Sequence, residues 1–116
     1  YPAFGINQIG HWNVEAGYYV YTSGSSILNI SGNEVNPVLQ GIQLNPGWYL
    51  ISYLRNSPMN IQQALAGISL HLKMAKNNSG GIYHPGFGIN TIGEMQPGQG
   101  YWLYITAPTI LNYPGN

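Results

Sequence analysis

Pro2-Ala3-Phe4-Gly5-Ile6-Asn7-Gln8-Ile9-Gly10 returns as Pro85-Gly86-Phe87-Gly88-Ile89-Asn90-Thr91-Ile92-Gly93, at an offset of 83 residues. The match runs on without a gap. Gly17-Tyr18-Tyr19-Val20-Tyr21 aligns with Gly100-Tyr101-Trp102-Leu103-Tyr104, Ile27-Leu28-Asn29 with Ile110-Leu111-Asn112, and Gly32-Asn33 with Gly115-Asn116. Fifteen of the 33 aligned positions are identical, which chance does not give without a gap. Self-similarity at a fixed period marks a repeat architecture. Residues 1–33 are therefore expected to be the hairpin of a preceding repeat. Residues 34–116 are expected to be a full repeat module, the two together forming one compact unit.

A shorter echo lies between the copies. Asn45-Pro46-Gly47-Trp48-Tyr49-Leu50-Ile51 is similar to Gln96-Pro97-Gly98 and the strand that follows it. Three times the chain writes Gly, two large aromatics, then Val or Leu. Glycine supplies unusual backbone angles at a turn, and aromatics suit a pleated, half-buried surface. This predicts hairpins over 17–22 with 26–30 and over 100–106 with 109–113. Further strands are expected near 38–44, 48–54, 70–75 and 81–83, separated by turns rich in Asn, Pro and Gly. One helix is expected at about 58–67: Ser57 can cap it, Pro58 suits its first turn, and Ile61, Leu65 and Ile68 share a face. The fold class expected is mainly β, an antiparallel sandwich or partly open barrel with one short helix and an internal hairpin duplication.

Only 5% of the 116 residues are charged, against about a quarter in an ordinary domain. They are Glu15, Glu34, Glu94, Arg55, Lys73 and Lys76, with a formal net charge of zero. Nothing electrostatic opposes association with copies of itself. Three basic residues cannot release the counterions that phosphate binding needs, so nucleic acid is not an expected partner. No apolar run approaches the roughly 20 residues of a membrane span, so membrane insertion is not expected. Cysteine is absent. The sequence opens at Tyr1 without Met, as expected of a processed product or an excised segment.

Chemistry finds little purchase. A glycosidase needs two carboxylates about 5–10 Å apart across the bond, and only Glu15, Glu34 and Glu94 are available. Glu15 aligns with Gly98 and Glu94 with His11, so neither belongs to the duplicated pattern. A Ser-His-acid triad would draw on His11, His71 or His84, but no Gly-x-Ser-x-Gly elbow occurs. No cluster of metal-ligating types stands out, and His71, alternating with Lys73, reads as the polar side of a strand. Pro97-Gly98-Gln99-Gly100 opens a strand instead of a helix, so it is no phosphate cradle. Asn29-Ile30-Ser31 and Asn77-Asn78-Ser79 fit the glycosylation sequon, a weak pattern. No enzymatic activity, cofactor or metal is expected.

The aromatics carry the remaining signal. On the strand after Gly100, Trp102 and Tyr104 point to one side, while Tyr101, Leu103 and Ile105 point to the other. Tyr19 and Tyr21 take the matching places in the first copy. The stripe Tyr19, Tyr21, Trp102 and Tyr104 is thus a candidate binding or packing face. Flat rings with hydroxyls suit stacking on sugars or on another subunit. The inner face of a sandwich would look the same, and that packing reading is favoured for the stripe, as for Trp12 and Trp48.

The segment from Ile42-Gln43-Leu44 through Pro46-Gly47-Trp48-Tyr49-Leu50-Ile51-Ser52-Tyr53, and then Ile92-Gly93-Glu94-Met95-Gln96-Pro97-Gly98-Gln99-Gly100-Tyr101-Trp102, resembles a tandem repeat module of secreted and cell-surface proteins of bacteria and archaea. In that module a Gly-Trp-Asn-Leu-Ile-Gly-Tyr-like strand precedes a short helix, and a Pro-Gly-x-Gly-Tyr-Trp strand closes the unit. Bacteroidetes proteins exported by the type IX secretion route carry similar copies. The likeness covers about residues 38–116, with Tyr49 and Ser52 standing where the pattern has Asn and Gly. It implies an extracellular or cell-surface location and a non-enzymatic, structural or adhesive part. Self-association into a fibre or array is the expected partnership, with polysaccharide binding through exposed Tyr and Trp as the alternative.

Overall fold

The third aromatic echo and the second copy of the repeat pair with each other. Strand β2 (Gly47–Ser52) runs antiparallel to β8 (Gly100–Ile105), with Ile51 opposite Tyr101 and Leu50 opposite Trp102. In the computed structural model, which describes all 116 residues, this pair anchors a five-stranded antiparallel sheet of order β2-β8-β4-β5-β6. The other members are β4 (Leu72–Lys76), β5 (Ile82–His84) and β6 (Ile89–Asn90). Two small ribbons complete the fold. They are β1 (Ile42–Leu44) with β9 (Thr109–Leu111), and β3 (Met59–Asn60) with β7 (Glu94–Met95). The protein is mainly β, with nine strands in antiparallel sheets around one short helix, and the sheets leave the barrel partly open.

Period-two alternation sets the core. Ile51, Tyr101, Leu103, Ile105 and Ala75 face inward from the large sheet and meet Ile42, Leu44 and Leu111 from the first ribbon. Tyr53, Tyr101 and Tyr113 form an aromatic cluster, with the Tyr53 ring edge-on to both others at centroid distances of 6.5 and 5.3 Å. Buried hydroxyls need partners. Tyr113 donates to the Ser52 carbonyl at 3.0 Å and Tyr53 to the Ser57 carbonyl at 2.9 Å. Arg55 is buried beside them, and its guanidinium donates to the carbonyls of Pro114, Gly115 and Ser57 and to the Tyr53 hydroxyl. Each of these acceptors is a neutral oxygen.

The helix differs from the expectation of 58–67. It spans only Ile61–Ala64 (α1), and a 3₁₀ turn follows at Ala66–Ile68. Met59 and Asn60 are drawn out of it because they pair with Met95 and Glu94. Asn60, not Ser57, caps it, accepting from the Gln62 N–H at 2.9 Å. The helical spacing was nonetheless informative: Ile61, Leu65 and Ile68 are all buried in the core.

The two copies of the repeat agree at their beginnings and part at their ends. Pro2–Phe4 and Pro85–Phe87 are both 3₁₀ turns, closed by Gly5 and Gly88 at φ 66°, ψ 22°. Gly10 and Gly93 both stand at φ 75°, and each donates its N–H to the side chain of Asn7 or Asn90 at 2.9 Å. Tyr1 stacks on Phe4 as His84 stacks on Phe87. The Tyr18 hydroxyl accepts from the Asn13 N–H at 2.8 Å, and Tyr101 does the same for Gln96 at 2.8 Å. Beyond this point the copies diverge. Residues 100–111 form β8 and β9, whereas residues 17–30 form no hairpin and no strand. Tyr18 to Ile30 in the first copy have no counterpart of β2, β4 or β1 beside them. The hairpin expected over 17–30 is missing for that reason. The first copy projects, and the chain measures 44 × 29 × 25 Å. Its radius of gyration of 14.9 Å exceeds the roughly 13 Å of a compact chain of this length.

Candidate functional site

The outer face of the large sheet gathers the aromatics. Because Ile51, Tyr101 and Leu103 point into the core, register places Trp48, Leu50, Trp102 and Tyr104 on the opposite side. Trp48 stands edge-on to Tyr104 at 5.1 Å and to Trp102 at 6.4 Å. The expectation that the stripe packs in the core is thereby corrected. Trp102 and Tyr104 are half-buried on the outer face, while Tyr19 and Tyr21 are exposed. Trp48 and Trp12 are likewise exposed, not core residues.

Of the four stripe residues, three are brought together and one is not. The Tyr19 ring lies 6.3 Å from Trp102, and its hydroxyl accepts the Trp102 indole N–H at 2.6 Å. Tyr104 reaches this group through Trp48. Tyr21 stands apart, almost wholly exposed. Residues outside the expected stripe join it. Lys76 sits across from Trp102 in β4 and places its ammonium 5.0 Å above the Trp48 ring, and Lys73, beside a bulge in β4, lies 5.6 Å over Tyr104. Such contacts attract a cation to the negative face of the ring. Tyr19, Trp48, Lys76, Asn77, Asn78 and Trp102 line an open groove of about 530 Å³. Trp48 was legible in the sequence, since it shares parity with Leu50 and Ser52 in β2. No periodic signal marks Asn77 and Asn78, which sit at a turn. There the Asn77 side chain accepts from the N–H groups of Ser79 and Gly81.

The first copy reaches this face by adding itself to an edge. Ala16 bridges Ile51 on the free side of β2, the Gly17 N–H donates to the Leu50 carbonyl at 3.0 Å, and the Ser52 N–H donates to the Glu15 carbonyl at 3.1 Å. The Ser52 hydroxyl donates to the Val14 carbonyl. Open strand edges invite such pairing. The chain then crosses β2 at Gly17, where a Cβ would stand 2.8 Å from Leu50 Cγ, a distance that requires something to shift.

The acidic residues and histidines considered for chemistry are scattered. Glu15 accepts from the Gln40 side chain at 2.7 Å, Glu34 accepts from Asn56 and Asn116, and Glu94 is exposed in β7. The His71 carbonyl accepts from Thr106, and His84 stacks on Phe87. No three of the His, Asp or Glu side chains come together in a way that could hold a metal ion. No helix is long and apolar enough to cross a membrane.

A second surface is defined by what it lacks. The first copy leaves exposed the residues that the second copy buries. Val20 is 63% exposed and its counterpart Leu103 0%; Leu28 is 66% exposed and Leu111 0%; Ile30 is 68% exposed and Tyr113 1%. Comparison with protein-family models, curated proteins and solved structures finds no significant match.

Proposed function

We propose that the chain is a non-catalytic structural and adhesive repeat module of an extracellular or cell-surface protein, its units joining into a fibre or array. The observation that carries this reading is the mismatch between the copies: apolar residues that fill the core in residues 100–113 stand in solvent in residues 17–30. Large apolar side chains left in solvent at so many positions of one segment point to an interaction site. The addition of Glu15–Gly17 to the edge of β2 supports it, because backbone hydrogen bonds of that kind could hold one unit to the next. Zero net charge removes electrostatic resistance to association. The resemblance to tandem repeat modules of secreted proteins supplies the extracellular setting. Light scattering and electron microscopy across a concentration series test the proposal. Growth of end-to-end assemblies is expected, and monomers alone at high concentration would remove the self-assembling reading.

The groove beside Trp48 and Trp102 favours a second reading, a carbohydrate-binding face. Exposed indole beside asparagine amides is what a sugar ring uses, stacking its C–H face while its hydroxyls are hydrogen-bonded. Polysaccharide pull-down with the parent chain and with Trp48→Ala decides this reading. Retention lost in the variant supports it, and no retention of the parent on any polysaccharide removes it.

A further inference from the structure

The repeat divides the chain into two tails, residues 1–33 and 84–116, and one body, residues 34–83. A body holds a tail in a specific way. Leu103 lies between Tyr49 of β2 and Ala75 of β4, and Leu111 pairs with Ile42 of β1. The end of the tail is clamped as well. Arg55 donates to the carbonyls of Pro114 and Gly115 at 3.1 and 2.9 Å, and the Asn56 N–H donates to the Asn116 side chain at 2.8 Å. The first tail keeps the features this grip uses. It has Val20 for Leu103, the identical Leu28 for Leu111, and the identical pair Gly32-Asn33 for Gly115-Asn116. Its turn at residues 2–10 already has the conformation of residues 85–93. Ile9, Trp12, Tyr18 and Val20 line an apolar groove of about 610 Å³. Its counterpart in the second copy is filled: Met95, at the place of Trp12, is 0% exposed.

We infer that this uncovered face is the docking surface for a further polypeptide of the body kind, joined to the first tail as residues 34–83 are joined to 84–116. The inference rests on the reading of the chain as a repeat module and names the partner of its exposed face. Stoichiometry favours this occupant over a second copy of the chain. Each copy brings two tails and one body, so any exchange of tails between copies leaves one tail bare. Register favours it too, since the exposed apolar residues recur at the positions that a body buries. Ser31, Gly32 and Asn33 lead directly to Glu34, whose carboxylate accepts from the side chains of Asn56 and Asn116. The end of one tail and the start of its body are thus held together, a geometry that lets successive units follow one another without a linker.

The test extends the 116-residue chain by a copy of residues 34–83 fused ahead of Tyr1. Amide hydrogen exchange at Val20, Leu28 and Ile30 is the readout, with Leu103 and Leu111 as internal standards. In the parent chain the first three, whose N–H groups bond to no other residue, are expected to exchange freely. In the extended chain they are expected to slow by roughly 100-fold or more, the protection a cooperative core gives. A second extended chain carries Trp12→Met, Val20→Leu, Thr22→Ile and Ile30→Tyr, which gives the first tail the same residue as the second at every position buried there. Free exchange at residues 20–30 in both extended chains, with Leu103 and Leu111 still protected, overturns the inference. Light scattering of the parent chain separates the two readings. Protection in the extended chains with a monomeric parent removes self-assembly and keeps this docking; assembly of the parent with no protection does the reverse.

Discussion

Trp102 donates its indole N–H to the hydroxyl of Tyr19 at 2.6 Å, and the two residues occupy the same position in successive copies of the repeat. The two aromatic stripes therefore do not stack in parallel sheets. The first folds back over the outer face of the second, reached by the crossing at Gly17.

This contact predicts a measurable coupling. A double-mutant cycle of Tyr19→Phe and Trp102→Phe should return about 0.5–1.5 kcal/mol, the net worth of one hydrogen bond between neutral groups. Each single variant should keep the global fold, because neither residue lies in the core. Chemical denaturation of the four chains gives the number, and additivity within error would mean that the bond is not formed in solution.

The two copies should respond differently to the same substitution. Leu111→Ala empties a fully buried site and should cost about 2–5 kcal/mol. Leu28→Ala, at the identical repeat position but in solvent, should change stability by less than about 0.5 kcal/mol. Equal effects in thermal unfolding would show that residue 28 is already buried by an association of chains.

Arg55 should be worth more than any other charged residue. Arg55→Met keeps the bulk of the side chain but leaves the carbonyls of Ser57, Pro114 and Gly115 without their donor. A loss of about 2–4 kcal/mol is expected, and carboxypeptidase should then trim residues 113–116.

Alkaline pH should destabilise the chain. Burial, and then the neighbouring phenols of Tyr53 and Tyr101, push the Tyr113 phenol well above its ordinary value of 10.0. Burial also raises Tyr101, against the lowering effect of the Gln96 N–H it accepts. Below pH 10 both folded and unfolded chains keep these protons, and stability does not depend on them. Above it the unfolded chain releases protons that the folded chain retains, so stability falls by up to about 1.4 kcal/mol per pH unit for Tyr113, and by less for Tyr101. Denaturant midpoints between pH 8 and 11 should fall accordingly. Tyr113→Phe should lower the stability at pH 8 by about 1 kcal/mol and flatten the slope above pH 10.

Several elements were legible in the residues themselves. Tyr101, Leu103 and Ile105 sit at alternate positions, and that alternation identifies β8. The spacing of Ile61, Leu65 and Ile68 marks a buried helical face even though the helix is only four residues long. Its start is not legible there: Ser57 and Pro58 satisfy local capping rules, while the pairing of Met59 with Met95 spans 36 residues and has no local signature. The aromatic face was half legible. Alternation separates Trp102 and Tyr104 from Tyr101 and Leu103, but both sets are bulky and apolar, so composition does not say which one faces the core.

By itself, the sequence determined that two stretches 83 residues apart share local conformation, because glycine, proline and asparagine at fixed places set backbone angles through contacts only a few residues long. It also determined the mainly β class, through period-two alternation. Only the tertiary structure decided that Trp48 and Trp102 face outward, that Tyr19 is bound to Trp102, and that residues 17–30 remain without a sheet. A strand is stabilised by its neighbours, and those neighbours are distant in sequence. The same residues therefore become β8 and β9 where a body lies beside them, and stand in solvent where none does.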